Sequence, residues 1–190
     1  MQAVARHGVA AGDGDVLVTG ATGGVGSVAV SLLARRGYRV VAATGKPGEV
    51  GYLHALGAAE IIDRATLSDP GKPLQKEHWA AVVDSAGSHI LANACAQTCW
   101  GGVVVACGLA QGMDFPTTVA PFILRNVTLS GVDSVMQPKT ARQAAWAALA
   151  QEIDAAQLER MAHDVPLSEV LAAAARIMAG QAVGRTVVSI

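Results

Sequence analysis

Several short runs in this chain are apolar at nearly every position: Val16-Leu17-Val18-Thr19, Arg39-Val40-Val41-Ala42-Ala43, Ala80-Ala81-Val82-Val83-Asp84 and Gly102-Val103-Val104-Val105-Ala106. A strand with one wet face alternates, whereas a strand that is apolar throughout has both faces covered. Stretches with helical spacing lie between the runs. Val25 to Arg36 places Val28, Leu32 and Leu33 at that spacing, carries Arg35 and Arg36 in its last turn and stops at Gly37. Val50 to Leu56 reads as a helix ending at Gly57, with others at about Ile90 to Thr98, Ala141 to Ile153 and Leu167 to Met178. Glu60-Ile61-Ile62-Asp63, Val127 to Val132 and Arg185 to Ile190 add strands, and Pro70, Gly71 and Pro73 mark a longer loop. The alternation predicts an α/β chain with a doubly wound parallel sheet.

Composition narrows the functional classes. With 190 residues, 52% of them hydrophobic, the chain can bury a substantial core as one domain. Fourteen Lys and Arg against fifteen Asp and Glu leave a net charge of -1, which argues against a nucleic-acid-binding face. No run reaches the roughly 18 apolar residues of a membrane span, and Met1 to Gly8 lacks the apolar stretch of a signal peptide. A cytoplasmic location is expected. Cys95, Cys99 and Cys107 are odd in number. Cys95 and Cys99 are four apart on one expected helix, with no second pair and no histidine beside them. They read as buried small residues, and no metal site is expected. His7, His54, His78, His89 and His163 are scattered and receive no role, while Trp79, Trp100 and Trp146 read as core or interface packing.

The chemistry lies in Thr19-Gly20-Ala21-Thr22-Gly23-Gly24-Val25-Gly26, where the first strand turns into the first helix. A dinucleotide site needs glycines there for a tight turn, for close backbone approach to a pyrophosphate and for helix–strand packing. The phosphates then rest on the unpaired N–H groups of the helix start. Ala21 takes the first position of G-x-G-x-x-G, and Gly23 and Gly26 take the second and third. That placement turns the predicted sheet into a Rossmann fold. An NAD site presents a carboxylate about 20 residues on, at the end of the second strand. Here that segment reads Ala43-Thr44-Gly45-Lys46, and the nearest acid is Glu49. A hydroxyl and a cation suit a ribose 2′-phosphate, and Arg64 beyond the third strand offers a second cation. The plainer reading of Lys46 and Arg64 is as solvated loop charges.

The same octet fits the T-G-x-x-x-G-x-G turn of short-chain dehydrogenases, which also need a tyrosine followed four residues later by lysine. Tyr38 is followed at that distance by Ala42, and Tyr52 by Leu56, so that family is set aside. The chain instead resembles the cofactor-binding domain of the medium-chain dehydrogenase/reductase superfamily, in the zinc-free quinone-oxidoreductase-like branch that contains the NADPH-dependent acrylyl-CoA reductases. The resemblance runs over nearly the whole chain. It rests on Leu17 to Ser27, Lys72-Pro73-Leu74-Gln75-Lys76, Ala106 to Ala110, Pro116 to Val127 and Gly131 to Met136.

The resemblance implies that Gly23, Gly24, Val25, Gly26 and Ser27 hold the pyrophosphate of NADP(H). It puts Thr44, Gly45, Lys46 and Arg64 at the adenosine phosphate, and Leu109, Ile123 and Ser134 along the nicotinamide half. Lys46 stands where relatives often carry Arg. Sequence physics alone reads Leu109 and Ile123 as core and Ser134 as a turn residue. Arg125 has two readings, a phosphate contact to a CoA substrate or a cap on the short helix before it, and the cap is preferred.

Members of the family carry an N-terminal GroES-like domain that supplies most of the substrate pocket and catalytic side chains, and the expectation is that this chain lacks it. The expected organisation is therefore a linker tail over 1–12, an NADP-binding Rossmann domain over 13–160 and a segment over 161–190 returning toward that domain, with the partners of the last strand outside the chain. The implied activity is hydride transfer to an electron-poor alkene, acrylyl-CoA being the favoured small-molecule substrate, with the isolated chain inactive. A quinone oxidoreductase or enoyl reductase is the alternative within the class, and a non-enzymatic NADP(H)-sensing module the alternative outside it. No catalytic residue is assigned. The resemblance further implies a homodimer through the sixth strand, Val127 to Val132.

Overall fold

The computed structural model describes residues 2–190; Met1, the first residue of the expected linker tail, lies outside the described residues. Six strands form one parallel sheet: β1 (Asp15–Val18), β2 (Val40–Thr44), β3 (Glu60–Asp63), β4 (Trp79–Asp84), β5 (Thr98–Ala106) and β6 (Thr128–Gly131). Their spatial order is β3-β2-β1-β4-β5-β6, so the chain reverses direction across the sheet between β1 and β4. In an open α/β sheet, ligands bind at the carboxyl ends of the strands flanking such a reversal.

Successive residues of a strand serve opposite faces, and the core divides accordingly. Val16 and Val18 join one buried cluster with Val30 and Leu33 of α2 (Gly24–Arg35) and Leu53 of α3 (Val50–Ala55). Val4 of α1 (Gln2–Arg6) belongs to the same cluster. Leu17, between the two valines, joins the other cluster with Ile90, Leu91 and Cys95 of α4 (Ser88–Gln97), which α5 (Ala120–Arg125) flanks through Phe122. The expected parallel sheet with helices on both faces is therefore present.

Beyond the sheet, α6 (Lys139–Glu152) carries no buried residue and is tied back by a forked contact from Arg36 to Glu152 at 2.6 and 2.8 Å. The short α7 (Ala155–Met161) follows, then β7 (Ala162–Pro166), α8 (Val170–Met178) and β8 (Arg185–Ser189). The closing strand thus has one partner inside the chain, which corrects the expectation that its partners all lie outside; among the described residues its other edge is unpaired. β7 and β8 pair in parallel from Ala162↔Arg185 to Pro166↔Ser189. β7 escapes a reading by pattern because Ala-His-Asp-Val-Pro buries only Val165 and ends in proline, leaving neither an apolar run nor a full alternation.

Two boundaries also move. The helix expected to run to Thr98 is α4, which ends at Gln97, so Cys99 lies on β5 and the two cysteines do not share a helix. β5 begins four residues earlier than the apolar run because Thr98 pairs with Trp79 ahead of an irregularity in the ladder. Trp79 is core, as expected, while Trp100 and Trp146 stand largely exposed.

Candidate functional site

At the reversal point the chain leaves β1 through Thr19 and turns into α2. Gly20 adopts φ +57°, in the left-handed region. Gly26 faces the start of the same turn so closely that a Cβ would lie 2.2 Å from the Gly20 carbonyl oxygen and 2.7 Å from Ala21 Cα. Only a glycine lets helix and turn pack at that separation. Gly23 sits just ahead of the helix in extended conformation, and the first N–H groups of α2, from Gly24 onward, have no carbonyl within the helix to bond. Val25 is half exposed on the turn.

Ser27 is fully buried beneath the turn. Its hydroxyl donates to the Ala21 carbonyl at 3.2 Å and accepts from the Tyr52 hydroxyl at 2.8 Å. Its side chain therefore braces the turn from below. Burial raises the Tyr52 hydroxyl above the usual tyrosine range, with the Ser27 contact opposing, so the phenol stays a donor.

The end of β2 comes up beside this turn. Thr44 Oγ1 lies 3.4 Å from Thr22 Oγ1 and accepts the Lys46 backbone N–H at 3.1 Å. Asp63 caps the tight turn Arg64–Leu67 by accepting from the Ala65 N–H at 2.9 Å. That cap sets Arg64 against the Gly45 backbone, where a Cβ would meet its guanidinium carbon at 2.9 Å. Burial pushes the Lys46 ammonium below the usual lysine range, with Glu49 opposing the shift and Arg64 adding to it. Thr44, Gly45, Lys46 and Arg64, scattered over two strand ends in the sequence, are neighbours.

The tail of the chain crosses the same place. The Gly184 N–H donates to the Thr22 carbonyl at 2.8 Å, and the Lys46 ammonium donates to the Ala182 carbonyl. The Arg185 guanidinium stands over Gly24, which has no side chain to exclude it. The apolar run Arg185 to Ile190 signals a strand but nothing in it signals this crossing.

Leu109 is more than half exposed beyond β5, and its backbone adjoins Gly87. Ile123 stands exposed on α5 and Ser134 exposed in the loop after β6, so both lie in the open at the far edge of the sheet from β3. None of the three is core. Arg125 does not cap its own helix. Its guanidinium donates to the Ala96 carbonyl at 2.8 Å and the Gln75 carbonyl at 2.6 Å and pairs with Glu77 at 3.2 Å, tying α5 to the end of α4.

Asp84 escapes the sequence reading altogether. It is fully buried at the end of β4, and Thr19 and the Gly87 N–H both donate to its carboxylate. Its only sequence signal is an acid closing an apolar run, which does not reveal which strand lies alongside. Among the described residues no three His, Cys, Asp or Glu side chains group as metal ligands. Burial raises all three cysteine thiols, Cys95 to about 12. No helix of the described residues is long and apolar enough to cross a membrane.

Residues 24–153 match the family model described as zinc-binding dehydrogenase. The chain is 45% identical to the acrylyl-CoA reductase AcuI of Ruegeria pomeroyi across all of its own length and 58% of that protein's. It superposes with a TM-score of 0.96 and 45% identity on the yhdH oxidoreductase of Salmonella enterica in complex with NADP, again covering 100% of this chain and 58% of that one. The Bacillus subtilis protein yhfP with NAD bound matches with a TM-score of 0.92 and 40% identity over 100% of this chain and 58% of that one. The chain thus spans a little under three-fifths of the length of each of these three proteins.

Proposed function

The chain belongs to the zinc-binding dehydrogenase family, within the zinc-free medium-chain dehydrogenase/reductases, and from that membership we propose that it is the cofactor-binding part of an NADPH-dependent oxidoreductase acting on an activated carbon–carbon double bond. The observation that carries the cofactor choice is the meeting of Thr44, Lys46 and Arg64 beside the glycine turn, with no carboxylate at the end of β2. A carboxylate there accepts a ribose 2′-hydroxyl and repels a 2′-phosphate, while two cations and a hydroxyl do the reverse.

The residues fit the group. The glycine turn offers backbone N–H donors at a helix start, and the Arg185 guanidinium over Gly24 adds a positive charge where a pyrophosphate would rest. Leu109, Ile123 and Ser134 are available along the nicotinamide half because their side chains are exposed. When bound, NADPH supplies the hydride; the residues of this chain bind and orient it. The favoured substrate is an acyl-CoA thioester with a conjugated double bond, acrylyl-CoA first, in keeping with the likeness to an acrylyl-CoA reductase over 58% of its length. A homodimer through β6 is part of the proposal, since that strand is bonded on one side by β5 and is one of the sheet's two edges among the described residues.

The test is a fluorescence titration with NADPH and NADH side by side. NADPH should bind at least about tenfold tighter, equivalent to ~1.4 kcal/mol. Lys46→Ala or Arg64→Ala should remove most of that margin. Equal affinities in the unaltered chain would sink the 2′-phosphate contacts, and binding of neither would sink the cofactor reading. Light scattering at micromolar concentration tests the dimer, for which a monomer is the contrary result.

A further inference from the structure

We propose that Asp84 is a positioning residue for the nicotinamide half of the cofactor, locking the rim formed by residues 84–88 and 107–112 to the strand that carries the glycine turn. The proposal rests on the NADP(H) reading above. Asp84 is fully buried, and the contacts of its carboxylate are a hydroxyl and backbone N–H groups rather than a cation. Burial alone raises such a carboxyl, and the donors from Thr19, Gly87 and Ala86 oppose that rise. A buried acid without a counter-charge is costly and persists where its acceptor geometry is needed.

The proton positions follow from the partners. Thr19 Oγ1 accepts the Ser85 N–H at 3.1 Å, so its own hydrogen is free to donate to Asp84 Oδ1 at 2.6 Å. The Gly87 N–H donates to Oδ2 at 2.8 Å. That second contact holds a bend in which Gly87 has φ +74° and Ser88 φ +50°, the latter strained for a residue with a side chain. From the other rim segment the Cys107 N–H reaches the Asp84 carbonyl at 2.8 Å, and the Gln111 N–H reaches the Ala86 carbonyl at 2.7 Å. The two rim segments therefore run together past the sheet end, with Leu109 standing exposed between those contacts. One carboxylate joins them to Thr19, the residue before the turn.

Asparagine reproduces the acceptor on one side only. With the amide oxygen of Asp84→Asn kept on the Gly87 N–H, the amide N–H faces Thr19 Oγ1, which must then accept on both lone pairs and loses the carboxylate acceptor for its own hydrogen. The Asp84→Asn variant of the full chain is titrated with NADPH and with adenosine 2′,5′-bisphosphate, which carries the two phosphates and lacks the nicotinamide half. The expected result is a loss of about tenfold or more in NADPH affinity, with the bisphosphate within about twofold of the unaltered chain. Parallel losses for both ligands, or none for either, would overturn the assignment. If the unaltered chain binds neither ligand, the cofactor reading itself fails, a result distinct from the other two. Should Asp84→Asn fail to fold, Thr19→Val removes the same donor while keeping the side-chain shape. It should reproduce the selective NADPH loss and Thr19→Ser should restore affinity; a Thr19→Val chain that binds both ligands normally would overturn the proposal.

Discussion

Tyr52 donates its phenolic hydrogen to Ser27 Oγ at 2.8 Å, and through Ser27 it supports the Ala21 carbonyl of the glycine turn. A side chain on α3 thereby holds up the turn proposed above to receive the pyrophosphate. Tyr52→Phe keeps the ring and removes the donor, leaving a buried serine with one unmet acceptor. The expected cost is ~1 kcal/mol of stability. NADPH and NADH affinities should fall together by a few-fold, since the pyrophosphate that the turn is proposed to bind is common to both. Thermal unfolding and paired titrations check this, and an effect confined to NADPH would contradict it.

Gly26→Ala should abolish cofactor binding and destabilise the chain by about 2 kcal/mol or more, a backbone-overpacking effect. The added methyl would meet Gly20 and Ala21 backbone atoms, which have no rotamer to yield. Gly51→Ala is the control. Gly51 lies in α3 with nothing within 4 Å of where a Cβ would stand, so the change should be neutral or add up to ~1 kcal/mol through helix propensity. Urea unfolding should lower the midpoint of Gly26→Ala and leave that of Gly51→Ala unchanged or raised.

Arg125→Ala should cost about 2 kcal/mol, because it strips two carbonyls and Glu77 of a mostly buried guanidinium. Arg125→Lys should recover less than half. A single ammonium cannot present separate N–H donors to the Ala96 and Gln75 carbonyls in the way a planar fork does. Equal stability of the Lys variant and the unaltered chain in denaturant titration would contradict this geometry.

The lowered ammonium of Lys46 sets a pH dependence. A cation whose folded value lies below its ordinary 10.5 is lost as pH rises through that lowered value, so the preference for NADPH over NADH should weaken before ordinary lysines titrate. The linkage to stability has the opposite sense. Between the lowered folded value and 10.5 the unfolded chain binds more protons at this group, so its contribution to stability rises with pH across that window. Lys46→Arg should hold the NADPH preference flat over the same range. Affinity ratios measured at intervals from neutral to alkaline pH decide it.

The sequence by itself determined the sheet and the turn. Val16-Leu17-Val18 and Val103-Val104-Val105 are apolar on both sides because both sides are covered, and Gly20, Gly23 and Gly26 fall where one strand becomes a helix. Those signals are local: a strand's two faces and a turn's backbone are set by residues adjacent in the chain. What the tertiary structure decided is everything that depends on which elements lie side by side. Strand order brings Asp84 to Thr19 across 65 positions, and the tight turn after β3 brings Arg64 to Gly45. The pairing of β7 with β8 carries Ala182 and Arg185 over the turn, and Arg125 finds carbonyls of another helix end and a loop instead of its own helix. Hydrogen bonds of that kind are made between groups the chain separates, so only the folded packing fixes their partners.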